Sequence, residues 1–200
     1  MAHQNDQHIF FDESTRVDGR AASAKQDKFG KMSTTTSGTS PQGGEQTLSV
    51  CRSLIKKLNL RGYNWKEPSS CQNTNIDCKC FDKNYASLAL HIQIVRTDVN
   101  PKIWKELNTS SSVAQDSIEI ADLVERIKIA IKKKAEIIPQ YDRRTLTLAL
   151  DATLLPAFGF NVVIQDFNGK YGKWAHNFGF QSIWLVGPDT SLTAQLDAPS

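Results

Sequence analysis

The apolar and polar positions of the chain fall first into a helical period and then into a strand-like one. Over residues 48–60, apolar side chains recur three and four positions apart, which predicts an amphipathic helix. Over residues 76–96, two runs rich in apolar and alternating residues flank an Asp-Lys-Asn turn at residues 82–84. The pattern therefore predicts a helix, a short strand and Pro-Ser-Ser loop at residues 63–70, and then a β-hairpin.

The second half of the chain repeats this alternation of helix and strand. Residues 114–137 carry the strongest helical pattern, with acidic side chains early and lysines late, as the helix macrodipole favours. Runs of β-forming residues at 144–152 and 182–186 predict buried strands, and residues 191–196 predict an edge strand. Residues 154–169 are ambiguous, because proline and glycine interrupt an apolar helical spacing.

The order of these elements predicts an α/β domain, with a mixed central sheet flanked by helices, over residues 46–200. Residues 1–45 are instead dominated by Ser, Thr, Gly, Gln, Asp and Lys. Such a segment buries too little apolar surface to offset the entropy lost on ordering, so it is predicted to be a disordered tail. A chain of 200 residues, 40% of them hydrophobic, suffices for one such domain and a tail.

Net charge, and the search for a membrane span or secretory signal, bear on the expected partners and location of the protein. A net charge of +3 permits contact with a polyanion without pointing to one. No apolar run approaches the roughly 18 residues of a membrane span, and the N-terminus lacks the basic start and apolar core of a secretory signal. We therefore expect a cytoplasmic protein without a membrane partner, whose cysteines are reduced rather than joined in disulfides.

The four cysteines are candidate zinc ligands. Cys71, Cys78 and Cys80 follow the spacing C-x6-C-x-C, and Cys51 would complete a set of four sulfurs. Zinc sites usually offer close pairs with two to four residues between the ligands, and this spacing fits no zinc finger or ribbon. We expect buried core thiols at these positions rather than structural zinc.

Polar residues near the middle of the hairpin carry the one family resemblance. Asp77 lies in IDCKC and Gln93 in HIQIVR. With the order of helix, hairpin, long helix and strand, they resemble the restriction-endonuclease-like superfamily, also called the PD-(D/E)XK fold. In that family an acid opens the second core strand. The third strand carries an acid and, two residues on, a lysine, and these groups surround Mg²⁺.

The resemblance implies roles for particular residues. Asp77 matches the first acid and metal ligand, Gln93 occupies the place of the second acid, and Val95 stands where the lysine is expected. Some members of the superfamily read Glu-Val-Thr-Arg at this point, and residues 93–96 resemble that variant with the carboxylate replaced by an amide. Lys134 on the long helix is then a candidate for a lysine that has migrated.

Three cationic residues suit contact with nucleic acid. Arg96 ends the second strand of the hairpin, and Lys170 and Lys173 interleave with Tyr171 and Trp174. Cations among aromatic rings neutralise phosphate and stack on bases. The same residues equally suit a solvated arginine and an ordinary helix end whose rings cover the core.

Two further polar residues have both a chemical and a structural interpretation. His91 lies two residues from Gln93, on the same strand face, and is either a base or a structural histidine. Asp151 ends a predicted strand, at the edge where α/β sites often lie, and is equally a routine cap.

Two functions of different classes remain open. The first is a nuclease-like protein that acts on or binds nucleic acid, with DNA as the expected partner and Mg²⁺-dependent phosphodiester hydrolysis either surviving or lost. An amide oxygen binds Mg²⁺ more weakly than a carboxylate, so the ion is expected to bind poorly unless Asp82 or Asp98 contributes. The alternative is a non-catalytic protein-interaction module that uses the α/β sheet as a scaffold. The nuclease hypothesis requires the polar ends of Asp77 and Gln93 to lie close enough to share one ion.

Overall fold

The computed structural model describes residues 11–17, 20–26, 32–37, 43–73, 75–97, 112–115, 120–153, 157–187 and 189–197. The strands of this part of the chain are β1 (Phe11–Val17), β2 (Arg20–Gln26), β3 (Met32–Ser37), β4 (Ser69–Asn73), β5 (Ile76–Phe81), β6 (Ala89–Arg96), β7 (Ser112–Gln115), β8 (Leu146–Asp151), β9 (Ser182–Val186) and β10 (Thr193–Gln195). Its helices are α1 (Gly43–Leu60), α2 (Ile120–Ile137), α3 (Gln140–Arg143) and α4 (Ala157–His176).

A six-stranded mixed sheet forms the centre of the protein, in the order β10-β9-β8-β6-β5-β4. Strands β4, β5 and β6 pair antiparallel in succession, whereas β8 runs parallel to β6 and β9 runs parallel to β8. Parallel neighbours need a crossover connection, and α2 and α4 lie in the two crossovers. The predicted α/β domain with a mixed sheet flanked by helices is confirmed.

Hydrophobic clusters lie on both faces of this sheet. On one face, α1 packs its apolar stripe against residues of β5, β6, β8 and β9. On the other face, α2 and α4 pack against β8 and β9. Strand β8 contributes Ala149 to the first cluster and Leu148 and Leu150 to the second, because successive side chains of a strand point to opposite faces. Every residue of β8 is therefore buried.

The N-terminal segment differs from the composition-based expectation. Residues 1–45, predicted to be disordered, contain strands β1 to β3, which join β7 in an antiparallel sheet of order β1-β2-β3-β7. Pairing of the strands satisfies backbone N–H and C=O groups without an apolar face, and the threonines of β3 favour extended backbone. Helix α1 also begins at Gly43, five residues before the predicted start at residue 48.

Several element boundaries also differ from the prediction. Residues 112–115 belong to β7, so the helix predicted from residue 114 begins only at Ile120, where its apolar stripe begins. The ambiguous segment after residue 154 forms α4. The predicted Pro-Ser-Ser loop is wrong for its two serines, because Ser69 and Ser70 already belong to β4. A short helix predicted at residues 102–107 lies outside the described residues.

Among the described helices, none combines the length and the apolar character needed to cross a membrane.

Candidate functional site

Asp77 and Gln93 lie directly opposite each other on β5 and β6, one step along the register from the pair Cys78 and Ile92. The Gln93 amide nitrogen Nε2 donates a hydrogen bond of 2.5 Å to Asp77 Oδ2. The backbone N–H of Ile94 donates to the same oxygen at 2.7 Å. Gln93 is buried and Asp77 is half-buried. The structure therefore brings together the two side chains that the resemblance pairs.

In this structure two N–H donors occupy the Asp77 carboxylate oxygen Oδ2. Mg²⁺ requires oxygen ligands in near-octahedral geometry, whereas Gln93 directs an N–H group at the one carboxylate. The Oδ1 atom of Asp82, a second acid considered for the site, accepts backbone N–H bonds of 2.7 and 3.0 Å from the turn after β5. Asp98 lies outside the described residues. Across the part of the chain that is described, no three His, Cys, Asp or Glu side chains are grouped to hold a metal.

The two residues considered for the lysine position lie elsewhere. Lys134 is half-buried in the last turn of α2. Among the described contacts, no hydrogen bond or ion pair joins it to Asp77 or Gln93. Val95 packs against the hydrophobic cluster of α2 and α4, as its apolar side chain favours.

Sequence reasoning missed a lysine on the same strand as Asp77. Cys78 and Cys80 of β5 are buried in the cluster beneath α1, so Asp77, Lys79 and Phe81 project from the opposite side of the strand. We call this side of β4 and β5, facing away from α1, the open face. The signal was present in the segment IDCKCF, whose alternation places a lysine two residues after the aspartate.

Lys79 lies directly opposite His91 of β6 on the open face. Burial, and secondly the positive charge of Lys79, lower the pKa of His91 below its ordinary value. The imidazole is therefore mostly neutral at pH 7, with one ring nitrogen that donates and one that accepts a hydrogen bond. Between them, Asp77, Gln93, Lys79 and His91 form a polar group on two adjacent strands.

The predicted nucleic-acid contacts are dispersed. Arg96 is exposed at the end of β6, and Lys173 is exposed on α4. Lys170, also on α4, forms an ion pair of 2.8 Å with Asp166, and this hydrogen bond raises the pKa of Lys170. No described contact joins either lysine of α4 to the pair of Asp77 and Gln93.

The aromatic residues interleaved with those lysines contact each other and α2. The rings of Tyr171 and Trp174 meet edge to face, with their centroids 5.9 Å apart. The Tyr171 hydroxyl donates a hydrogen bond to Glu125 of α2, and that bond is the main cause of the lowered pKa of Glu125. Both rings are half-buried. In the structure Tyr171 therefore joins α4 to α2, and Trp174 packs against Tyr171.

Asp151 forms a separate polar group on the opposite face of the sheet. Its buried carboxylate accepts a hydrogen bond of 2.8 Å from Gln46 Nε2 in α1. The backbone N–H and the hydroxyl of Thr153 donate to its other oxygen at 3.0 and 2.7 Å. These bonds fix the first turns of α1 and the loop after β8, so Asp151 has a structural role.

The prediction of reduced cysteines is wrong for two of the four. Cys51 of α1 and Cys78 of β5 form a disulfide, with their Cα atoms 6.8 Å apart. Helix α1 crosses β5 and brings together two sulfurs that are 27 residues apart in sequence, a proximity that spacing alone does not reveal. Cys71 and Cys80 are free thiols, and burial raises the pKa of Cys80 to about 12. Two of the four sulfurs considered for zinc are thus bonded to each other.

Comparison with known proteins gives no family for the chain. No protein-family model matches it, and neither a curated protein nor a solved structure is detectably similar to it. The interpretation of the site therefore rests on the geometry of its residues.

Proposed function

We propose that the chain is a nuclease-like protein that binds nucleic acid on the open face, and that its metal site is degenerate. The contact between Asp77 and Gln93 carries the proposal. These residues lie on the second and third strands of the antiparallel series β4, β5 and β6, where the restriction-endonuclease-like resemblance expects two acids. The order of α1, these strands, α2 and β8 supports the same reading.

The electrostatics near Asp77 support binding of a phosphate backbone. Two N–H groups, from Gln93 and Ile94, donate hydrogen bonds to Asp77 Oδ2 and hold the carboxylate in place. Lys79 projects from the same side of β5, two residues further along the strand. A phosphodiester that lies along β5 therefore meets the Lys79 ammonium, whose attraction opposes the repulsion from the Asp77 carboxylate.

One observation favours the second candidate, a non-catalytic protein-interaction module. The Asp77 carboxylate accepts the backbone N–H of Ile94, which is a bond that braces two strands whatever the function of the sheet. In this interpretation Asp77 and Gln93 hold the scaffold together. The module requires neither nucleic acid nor a divalent cation.

Binding and cleavage by the full chain test the proposal. Fluorescein-labelled single-stranded and duplex DNA are titrated with protein from about 50 to about 200 mM salt, and anisotropy is measured. We expect binding that weakens with salt, because displaced counterions return to the phosphates. Incubation of the same DNA with Mg²⁺ or Mn²⁺, and separately with EDTA, is expected to leave it intact.

Two variants control for contaminating nuclease. Asp77→Ala removes the carboxylate of the site, and Asp122→Ala removes an exposed carboxylate of α2. Metal-dependent cleavage that is lost in Asp77→Ala and kept in Asp122→Ala would show an active enzyme and overturn the degenerate metal site. Absence of binding to either form of DNA would overturn the nucleic-acid proposal and favour the interaction module.

A further inference from the structure

Phe81 is a large apolar residue exposed at the end of β5, with 38% of its surface accessible. Lys79 precedes it by two residues and Lys83 follows it by two. Lys66 lies across from it, and the Lys66 N–H donates a hydrogen bond of 2.8 Å to the Phe81 carbonyl. We call Phe81 and these three lysines the Phe81 patch.

The phenyl ring of the patch is partly exposed and is contacted by a lysine. On its β6 side, the residue paired with Phe81 is Ala89, whose methyl group leaves the ring face open. The Lys79 Nζ atom lies over the ring, 4.9 Å from its centroid, in a cation–π contact. Backbone pairing on both sides of Phe81 fixes the direction in which its side chain leaves the strand.

The patch carries three cations, and the Asp77 carboxylate two residues from Lys79 is hydrogen-bonded to Gln93 and Ile94. Among the described residues, no carboxylate lies within ion-pair distance of Lys66, Lys79 or Lys83. Glu67, the closest acid in sequence to Lys66, pairs instead with Arg52 at 2.5 Å. Asp82, between Phe81 and Lys83, is buried and accepts hydrogen bonds from the turn. The surface around the ring is therefore complementary to a polyanion.

We propose that the Phe81 patch binds single-stranded nucleic acid, with one base stacked on Phe81 and the adjoining phosphates on the three lysines. A flat ring among cations is what an unpaired base and its backbone require. A duplex keeps its bases stacked inside and presents only phosphates to such a ring, and an acidic polypeptide has no base to stack. This inference rests on the nucleic-acid function proposed above and names its substrate class.

Salt-resolved binding to a labelled oligothymidine separates the ring from the lysines. Phe81→Ala is expected to weaken binding by roughly 5- to 100-fold at every salt concentration, because it removes one stacking contact. Phe81→Trp restores a ring and is expected to bind at least as tightly as the wild type. Lys79→Gln and Lys83→Gln should each reduce the slope of log K against log salt by about 0.7, as loss of one phosphate contact on a single strand does.

Matched surface variants keep the test specific. Tyr141→Ala removes an exposed ring of α3, and Lys132→Gln removes an exposed cation of α2. Both are expected to bind as the wild type does. Thermal unfolding of Phe81→Ala and Phe81→Trp shows whether each variant is folded.

Three results would overturn the single-strand inference while the nucleic-acid function stands. The first is oligothymidine binding that Phe81→Ala leaves unchanged. The second is a hairpin duplex bound as tightly as the single strand, and the third is polyglutamate that displaces the oligonucleotide as effectively as unlabelled oligothymidine. Absence of binding to every nucleic acid would overturn both proposals together.

Discussion

The two halves of the central sheet are covered differently. Strands β8 and β9 lie between α1 on one face and α2 and α4 on the other, and β8 reads LTLALD with every residue buried. Strand β5 reads IDCKCF, and only its two cysteines, which face α1, are buried. Among the described residues, a largely apolar run thus marks the half with two covers, and alternation marks the half with one.

This difference in cover gives two similar aspartates, Asp77 and Asp151, different surroundings. Asp77 and Asp151 are both strand aspartates that accept a hydrogen bond from a glutamine amide. Asp151 is buried beneath α1, and both of its carboxylate oxygens accept hydrogen bonds from neighbouring residues of the core. Asp77 is half-buried beside the open face, where Lys79 and His91 are its neighbours. Reactive or binding side chains are therefore expected where the second cover of the sheet ends.

The largest expected effect on stability tests whether the two halves of the sheet are buried to different extents. Leu150 of β8 has no exposed surface, so Leu150→Ala leaves a cavity and should lower the free energy of unfolding by about 2–5 kcal/mol. Phe81→Ala, on the open face, is expected to lower it by less than about 1.5 kcal/mol, because over a third of that residue already meets solvent. Urea denaturation of both variants gives the two values.

Comparison of the unfolding free energy lost in Phe81→Ala with that lost in Leu150→Ala tests whether the open face is exposed in solution. A loss in Phe81→Ala as large as that in Leu150→Ala would mean that the open face is covered in solution. The contrast between the halves of the sheet would then be wrong, and the Phe81 patch would not be accessible to a ligand.

A smaller effect is expected at the boundary between the halves. Asp77→Ala leaves the Ile94 N–H and the Gln93 amide without their acceptor, which should cost about 1–3 kcal/mol of unfolding free energy. Asp77→Asn retains an acceptor oxygen and is expected to cost less. Asp122→Ala, on the exposed side of α2, is expected to change stability by less than about 0.5 kcal/mol.

Urea denaturation of the three aspartate variants makes the comparison. Equal stability of Asp77→Ala and Asp122→Ala would show that water satisfies both donors, and that Asp77 does not brace the strands.

The sequence predicts those features that depend on local pattern. Strand alternation and the turn at residues 82–84 are sufficient to place Asp77 and Gln93 on adjacent strands, and the structure joins them. Lys79 follows from the same alternation and was missed, because the family pattern directs attention to the third strand and to Lys134. Buried strand β8 is recognisable from its apolar run alone.

Features that depend on tertiary contacts, or on strands made of polar residues, could not be predicted from local sequence pattern. The disulfide of Cys51 and Cys78 exists because α1 crosses β5, a packing that no local spacing encodes. Strands β1 to β3 consist largely of polar and small residues, so they lack the apolar period that identifies a strand. The direction of the Gln93 amide, which points an N–H group at Asp77, follows from its hydrogen bonds and not from its residue type.

The smallest expected effect is a pH dependence at His91. Burial, and secondly Lys79, lower the pKa of His91 in the folded protein below its ordinary value of 6.5, so the unfolded chain binds the proton more readily. The stability that this residue contributes is complete above pH 6.5 and is lost as the pH falls through the folded pKa. His91→Gln should flatten this fall in urea titrations below pH 7, and Lys79→Gln should reduce it. A wild-type profile in His91→Gln would assign the loss to another group. A wild-type profile in Lys79→Gln would show that burial alone lowers the pKa of His91.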